Sequence, residues 1–380
     1  MIDKNQQALL ELLKSSLFNI EPHFPEGVDW DAVLQEAKDQ TVVGLAAPAV
    51  PKEEAAKWQV PVAQNKMRFF QILDEQSNLV KLFQDAGIPM VILKGCAAAM
   101  YYPVPIQRTM GDIDFIVPAD HMDDALRLMA EDGYLYIDKA RRHYDYEKNG
   151  ISVELHYYYS EVNWDIEQHI SDGISHSVIC EMYDQRFPTL PAEINGLVLI
   201  DHIRSHLYSG LGLRQIIDWM MYVKTFPDEK TWTDRLAPLV REAGLEVLAT
   251  TVTKMCKRWL GLRGDITWCD DADEETADQL MEMILQSGNF GKKDSNEEIP
   301  MKGIIMESSK YGLFQYLQIT GEYTWEAYHK HPSLKPFAWL YQSCRLAKKG
   351  TVALFRGETK KLDASKAKEK RDLLEKLDIV

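Results

Sequence analysis

The sequence predicts an α+β protein, with a small strand-bearing core between an N-terminal helical cap and a larger C-terminal helical domain. Three observations carry this. Helical spacing of apolar residues dominates residues 1–86, short β-rich runs cluster within 87–160, and helical signals return after about residue 165. The expected division is 1–86, 87–160 and 161–355, followed by a charged tail at 356–380. At 380 residues and 46% hydrophobic composition, the chain is long enough to give two or three such modules a buried core.

Leu9, Leu10, Leu13 and Leu17 give residues 5–18 one apolar helical face, and Asp29 stands where a second helix through Ala37 needs its cap. Val42–Lys52 is apolar but interrupted by Pro48 and Pro51, which reads as a turn between helices. Phe69, Ile72, Leu73, Leu79, Leu82 and Phe83 define a long helix over 56–86 that Gly87 ends. Pro89–Leu93 is a short apolar strand turned by Gly95, and 96–102 is a short helix stopped by Pro103 and Pro105. Asp112–Val117 reads as a strand and Asp120–Asp132 as an amphipathic helix closed by Gly133. Asn149-Gly150 then joins Arg142–Lys148 to Ile151–His156, because these two residues accept the positive φ that a tight hairpin turn requires.

Beyond residue 165, Ile194–Leu207, Leu213–Lys224, Trp232–Ala243, Leu245–Leu260, Asp273–Gln286, 303–321 and 337–349 read as helices. Gly288–Pro300 is a loop rich in Gly, Asn, Lys and Asp. The acidic run Asp270–Glu275 lacks the spacing and internal glycine of a calcium loop, so it reads as a charged helix N-terminus. The tail has few large apolar residues before Leu373, Leu374 and Leu377, which suggests a solvated or frayed helix.

A net charge of −15 disfavours a broad nucleic-acid surface, which needs to be basic. Five widely spaced cysteines without a CxxC speak against disulfides and a structural zinc site. Neither a signal peptide nor a bilayer-length apolar run is evident, so a reducing cytoplasm is the simplest compartment. The chain lacks a Walker lysine loop, GxSxG and GxGxxG, which argues against a kinase or a serine hydrolase. Asp201-His202 reverses the order of a metal-hydrolase HD pair and HExxH does not occur.

The chemistry concentrates in three acids. Asp112 and Asp114 stand two apart at the head of an apolar run, so in a strand they share one face, with Ile113 on the other. Glu154 occupies a second β-rich run. Were the two strands neighbours, three carboxylates would converge, and such a cluster repels itself unless a cation neutralises it. Oxygen-only ligands favour Mg²⁺ or Mn²⁺.

Leu93-Lys94-Gly95, Tyr102-Pro103, Arg108 and the Asp112-Ile113-Asp114 strand together resemble the nucleotidyltransferase superfamily of DNA polymerase β and the aminoglycoside nucleotidyltransferases. Within it, the pattern is most similar to a bacterial branch labelled uncharacterised nucleotidyltransferase. His206, Arg214 and Asp218 in HLYSGLGLRQIIDW, and Gly288-Asn289-Phe290-Gly291, extend the resemblance over most of the chain. It implies a mixed-sheet core and a catalytic, metal-binding triad of Asp112, Asp114 and Glu154 with Mg²⁺ or Mn²⁺. It also implies transfer of an NMP group from an NTP, such as ATP, to a hydroxyl. Glu154 would serve as metal ligand, as general base, or as both.

The resemblance further implies nucleotide contacts by Lys94, Gly95, Arg108, His156, Arg214 and Asp218, each with a plainer alternative. Lys94-Gly95 lies where a phosphate cradle belongs, but LKG replaces the usual Gly-Ser turn, so Lys94 either meets the phosphates or faces solvent. Arg108 either stabilises the triphosphate or pairs with an Asp. His156 shares the face of Glu154 and either contacts substrate or is a structural strand-end histidine. Arg214 and Asp218, four apart, either line the nucleotide cleft or pair on a helix surface. Tyr157, Tyr158, Tyr159 and Trp164 either stack on a base or sugar or pack. The acceptor is a small molecule, a protein side chain or an RNA end, and the acidic balance favours the first two. Two other readings remain: an NTP-binding regulatory module without turnover, and an interaction protein forming half of a toxin–antitoxin-like pair.

Overall fold

A seven-stranded mixed sheet in the order β3-β4-β5-β2-β1-β7-β6 separates the helices into two layers. The computed structural model describes residues 2–140, 142–160, 164–289, 293, 313–325, 328, 331–355 and 364–379. The strands are β1 (Val91–Leu93), β2 (Ile113–Ile116), β3 (Leu135–Lys139), β4 (His143–Lys148), β5 (Ile151–His156), β6 (Val178–Met182) and β7 (Gln185–Thr189). The β2–β5 and β1–β7 pairs are parallel, and the other four are antiparallel.

The helices before the last strand are α1 (Lys4–Phe18), α2 (Trp30–Asp39), α3 (Val43–Ala46), α4 (Ala55–Asp85), α5 (Gly95–Ala99), α6 (Met122–Glu131) and α7 (Trp164–Ser175). Those after it are α8 (Ala192–Ser209), α9 (Leu213–Thr225), α10 (Glu229–Thr231), α11 (Ala237–Glu242), α12 (Glu246–Trp259), α13 (Glu274–Ser287), α14 (Leu313–Thr324), α15 (Ala338–Phe355) and α16 (Ala364–Lys376). Among the described residues, no helix is long and apolar enough to cross a membrane.

Successive strand residues point to opposite faces, and the central strands use both. Ile92, Ile113, Phe115, Val153 and Leu155 pack with Phe69, Ile72 and Phe83 of α4 and with Ala125 and Met129 of α6. The Phe83 and Phe115 rings meet edge to face at 5.2 Å. Each such side chain contributes roughly 1.5–3 kcal/mol by leaving water. Val91, Leu93 and Ile116 point the other way, into a larger core with α1, α2, α8, α9, α12 and α13. Alternation therefore turns Asp114, Glu154 and His156 towards the C-terminal helices.

Local signals act as expected at several ends. Asp29 caps α2 by accepting from Asp31 N (3.0 Å) and Ala32 N (3.2 Å). Asn149 and Gly150 take φ of 54° and 72°, which sets the β4–β5 register. Asp273 caps α13 by accepting from Thr276 N at 2.7 Å, so the acidic run is a helix start.

Other stretches depart from expectation. Within Val42–Lys52, residues 43–49 are helical, as α3 and a 3-10 turn at Ala47–Ala49 that admits Pro48 in its first turn, where a missing N–H is tolerated. β3 is an edge strand whose Leu135, Tyr136 and Ile137 are all exposed, so no alternating pattern announces it. Where only helices were expected beyond residue 165, β6 and β7 extend the sheet past residue 160 to Thr189. Their turn, Tyr183-Asp184, has φ of 50° and 65° without the Asn-Gly or Asp-Gly pair that announces such a turn, so its sequence signal is weak. The Trp232–Ala243 helix opens with a π turn at Trp232–Leu236.

The tail is not a solvated helix at its end. Leu373, Leu374 and Leu377 are buried, and Lys376 Nζ donates to Gln279 Oε1 on α13 at 3.0 Å. Of the expected loop Gly288–Pro300, all but residues 288, 289 and 293 lie outside the described residues, as do 303–312 of the next expected helix and 356–363 of the tail.

Candidate active site

The site is built by strand register. Asp114 of β2 stands beside Glu154 of β5, and Glu154 beside Asp145 of β4, so three acids form a row across three strands. One step along, His156 stands beside His143. Directly paired residues on one face have Cβ atoms about 5 Å apart, within interaction range. The sequence reading missed His143 and Asp145. Counting outward from Asn149-Gly150 finds them, because His143-x-Asp145 mirrors Glu154-x-His156 across the turn.

Lys94 reaches into this row. Its backbone (φ 46°, ψ −129°) occupies a conformation side chains disfavour, at the start of α5, and Gly95 follows with φ of 28°. The ammonium lies 2.6 Å from Asp114 Oδ1 and the side chain is 12% exposed, so Lys94 does not face solvent. His156 Nε2 lies 3.0 Å from the same oxygen and 3.4 Å from Glu154 Oε2. His143 Nδ1 lies 3.5 Å from Glu154 Oε2, and its Nε2 lies 3.1 Å from Asp145 Oδ1.

These neighbours set the charges. Burial disfavours an ionised Asp114, but Lys94 and the His156 hydrogen bond outweigh it and hold the carboxyl well below the usual range. At Asp112 the pull of Lys94 and Arg214 is outweighed. Burial, then the charges of Asp114 and Glu154, push it up to about 6. Burial likewise opposes a charged His156, yet its hydrogen bonds to Asp114 and Glu154 raise it. Burial pushes His143 down to about 4 despite the pull of Glu154.

Helices α8 and α9 form the opposite wall. His202 and His206 of α8 approach Nε2 to Nε2 at 2.9 Å. Burial, with Lys94 among the nearby charges, depresses both, His206 to about 3, so they stay neutral at physiological pH. Arg214 of α9 donates from Nη1 to Thr109 O at 3.3 Å, while its Nε is buried without a hydrogen bond. A Cβ at Gly111 would stand 3.9 Å from Nη1, so the loop before Asp112 runs alongside this guanidinium.

Arg108 and Asp218 behave otherwise. Arg108 Nε and Nη2 each donate to Asp218 at 2.7 Å, and the Tyr102 hydroxyl donates to Asp218 at 2.6 Å. Their side chains are only 2% and 1% exposed, and each is engaged by the other, as in the ion-pair alternative for Arg108. The Arg214–Asp218 surface pair is also absent, since every residue of α9 from Leu213 to Val223 is buried. Tyr159 is buried with its hydroxyl on Val198 O at 2.8 Å, and Tyr157 donates to Ala140 O at 2.9 Å; Tyr158 is exposed. Gly288 ends α13, and Asn289 accepts from Gln215 at 2.8 Å. Phe290, Gly291 and the Trp164 side chain lie outside the described residues.

Residues 26–261 match the family model described as uncharacterised nucleotidyltransferase. No curated protein matches the chain. Among solved structures, an antigenic nucleotidyltransferase-like protein from Paracoccidioides brasiliensis is similar over 52% of this chain and 94% of its own, at 16% identity and a TM-score of 0.35. The family match spans more than half of the sequence, and the chain belongs to the uncharacterised nucleotidyltransferase family.

Proposed function

We propose that the protein transfers an NMP group from an NTP, ATP among them, to a hydroxyl on a small molecule or a protein. The observation that supports this best is the pairing of Asp114 with Glu154 on adjacent strands, with Asp112 close enough to feel both charges, beside the cations Lys94 and Arg214. The donor set suits Mg²⁺ or Mn²⁺, because the ligands are carboxylates, and burial together with the charges of Asp114 and Glu154 pushes Asp112 up to about 6, a strain that a cation relieves. Asp112, Asp114 and Glu154 would hold the ion, which when bound neutralises the triphosphate and favours in-line geometry.

The chain's own groups do the rest. Lys94 and Arg214 attract the phosphates, while the neutral His202 and His206 line the wall without repelling the substrate. The acceptor oxygen bonds to the α-phosphorus, the bond to pyrophosphate breaks, and the hydroxyl proton passes to Glu154 or Asp112. Arg108 and Asp218 act beneath the site, fixing the segment between Tyr102 and Met110. The acids lie on the sheet-bearing core, whose strands run to Thr189, and α9 supplies Arg214. All five cysteines are unpaired, which suits a cytoplasmic protein.

The test is pyrophosphate release from each of the four NTPs with Mg²⁺ or Mn²⁺, using cell extract as the source of acceptor. Asp112→Ala is the better control, because removing Asp114 would strand Lys94 and His156. Metal-dependent release that the variant loses is the expected result. Binding without release for any acceptor points to the regulatory module. A folded protein that neither binds nor turns over NTP refutes the assignment.

A further inference from the structure

We infer that the polar face of the sheet carries a mixed nitrogen–oxygen cation site, formed by His143, Glu154 and His156, that selects a divalent transition ion such as Zn²⁺ over Mg²⁺. The site shares Glu154 with the proposed transfer centre but does not require that centre to be active.

The three ligand atoms lie within 4.8 Å of one another. Glu154 Oε2 stands between two ring nitrogens, 3.5 Å from His143 Nδ1 and 3.4 Å from His156 Nε2. Zinc bonds of about 2.0–2.2 Å in a tetrahedron place neighbouring donors about 3.4 Å apart, so little movement is needed. Asp114 Oδ1, 3.0 Å from the same His156 nitrogen, stands next to the fourth position, already shared with Lys94.

The far side of each ring is held as metal-bound imidazoles are held. His143 Nε2 faces Asp145 Oδ1 at 3.1 Å, and His156 Nδ1 faces Tyr158 O at 3.3 Å. Both partners are acceptors able to hold a ring proton, which leaves His143 Nδ1 to turn its lone pair towards Glu154, while His156 Nε2, which donates to Asp114, would give up its proton on binding the ion. A second observation points the same way. His143 Nδ1 is buried without a hydrogen bond, although a carboxylate oxygen lies 3.5 Å away. A lone pair facing an anion across that gap is unfavourable, and a cation between them satisfies both. Two imidazoles with one carboxylate suit zinc, whereas Mg²⁺ prefers six oxygens in an octahedron.

The test uses the full chain stripped with EDTA and titrated with Zn²⁺ or Mg²⁺ alone by calorimetry, followed by X-ray absorption of the zinc-loaded protein. The expected result is one Zn²⁺ per chain, two imidazoles in its shell, and no displacement by equimolar Mg²⁺. His143→Gln should weaken zinc binding by at least about tenfold. Asp112→Asn should keep zinc binding while losing any pyrophosphate release, which separates this site from the transfer centre. Absence of stoichiometric binding by the folded wild type, a shell with fewer than two imidazoles, or unchanged affinity in a folded His143→Gln overturns the inference. The wild-type spectrum decides the matter even if the variant fails to fold.

Discussion

Asp218→Asn separates a structural role from a nucleotide-binding one. In the wild type, Asp218 receives both Arg108 donors at 2.7 Å and the Tyr102 hydroxyl at 2.6 Å, with both charged side chains almost fully buried. Asparagine keeps the shape but leaves the Arg108 guanidinium buried without a counter-ion and turns a donor amide towards other donors. Breaking a buried ion pair on one side costs about 3–5 kcal/mol. With a urea m-value near 3 kcal/mol/M, the unfolding midpoint should fall by roughly 1–1.7 M. The double change Arg108→Met/Asp218→Leu should recover most of the loss, because replacing both partners removes the desolvated charge together with its partner. The assay is urea unfolding followed by tryptophan fluorescence, with NTP affinity measured on the folded fraction. If Asp218→Asn unfolds within about 1 kcal/mol of wild type but binds NTP far more weakly, the buried-pair argument is wrong and Asp218 contacts the nucleotide.

Asp112→Asn and Asp114→Asn should shift stability in opposite directions. The folded pKa of Asp112 is raised to about 6, so its ionisation opposes folding as pH rises through that range, and Asn should stabilise at pH 8 but not at pH 4. The folded pKa of Asp114 is depressed, so its contribution is present above the usual carboxylate pKa and is lost as pH falls through the folded value; Asn should destabilise at pH 8. Urea unfolding at both pH values checks the signs. Tyr102→Phe should cost about 1.5–3 kcal/mol, the worth of one hydrogen bond to a charged acceptor, and a thermal melt reads it. Gly44→Ala should destabilise by about 1–3 kcal/mol, because the new methyl meets the Gln107 backbone carbonyl where α3 packs on the segment leading to Arg108. An unchanged melting temperature for Gly44→Ala would show that this segment yields freely.

Much of the framework was legible because its signals are local. The 3.6-residue spacing marks α1 and α4, Asp29 caps α2, and Asn149-Gly150 closes a hairpin. Spacing by two puts Asp112 and Asp114 on one face. β3 and the β6–β7 hairpin were not legible, because β3 exposes every apolar residue and Tyr183-Asp184 makes a positive-φ turn without the Asn-Gly or Asp-Gly pair that usually signals it. The chain alone thus determined the strand faces and the β4–β5 register, both of which depend on a few consecutive residues. Tertiary structure decided that β5 lies beside β2, that Lys94 reaches Asp114, and that Arg108 pairs with Asp218, 110 positions away. A buried charge takes whichever counter-ion the fold brings within about 3 Å, and that choice depends on contacts between segments far apart in the sequence.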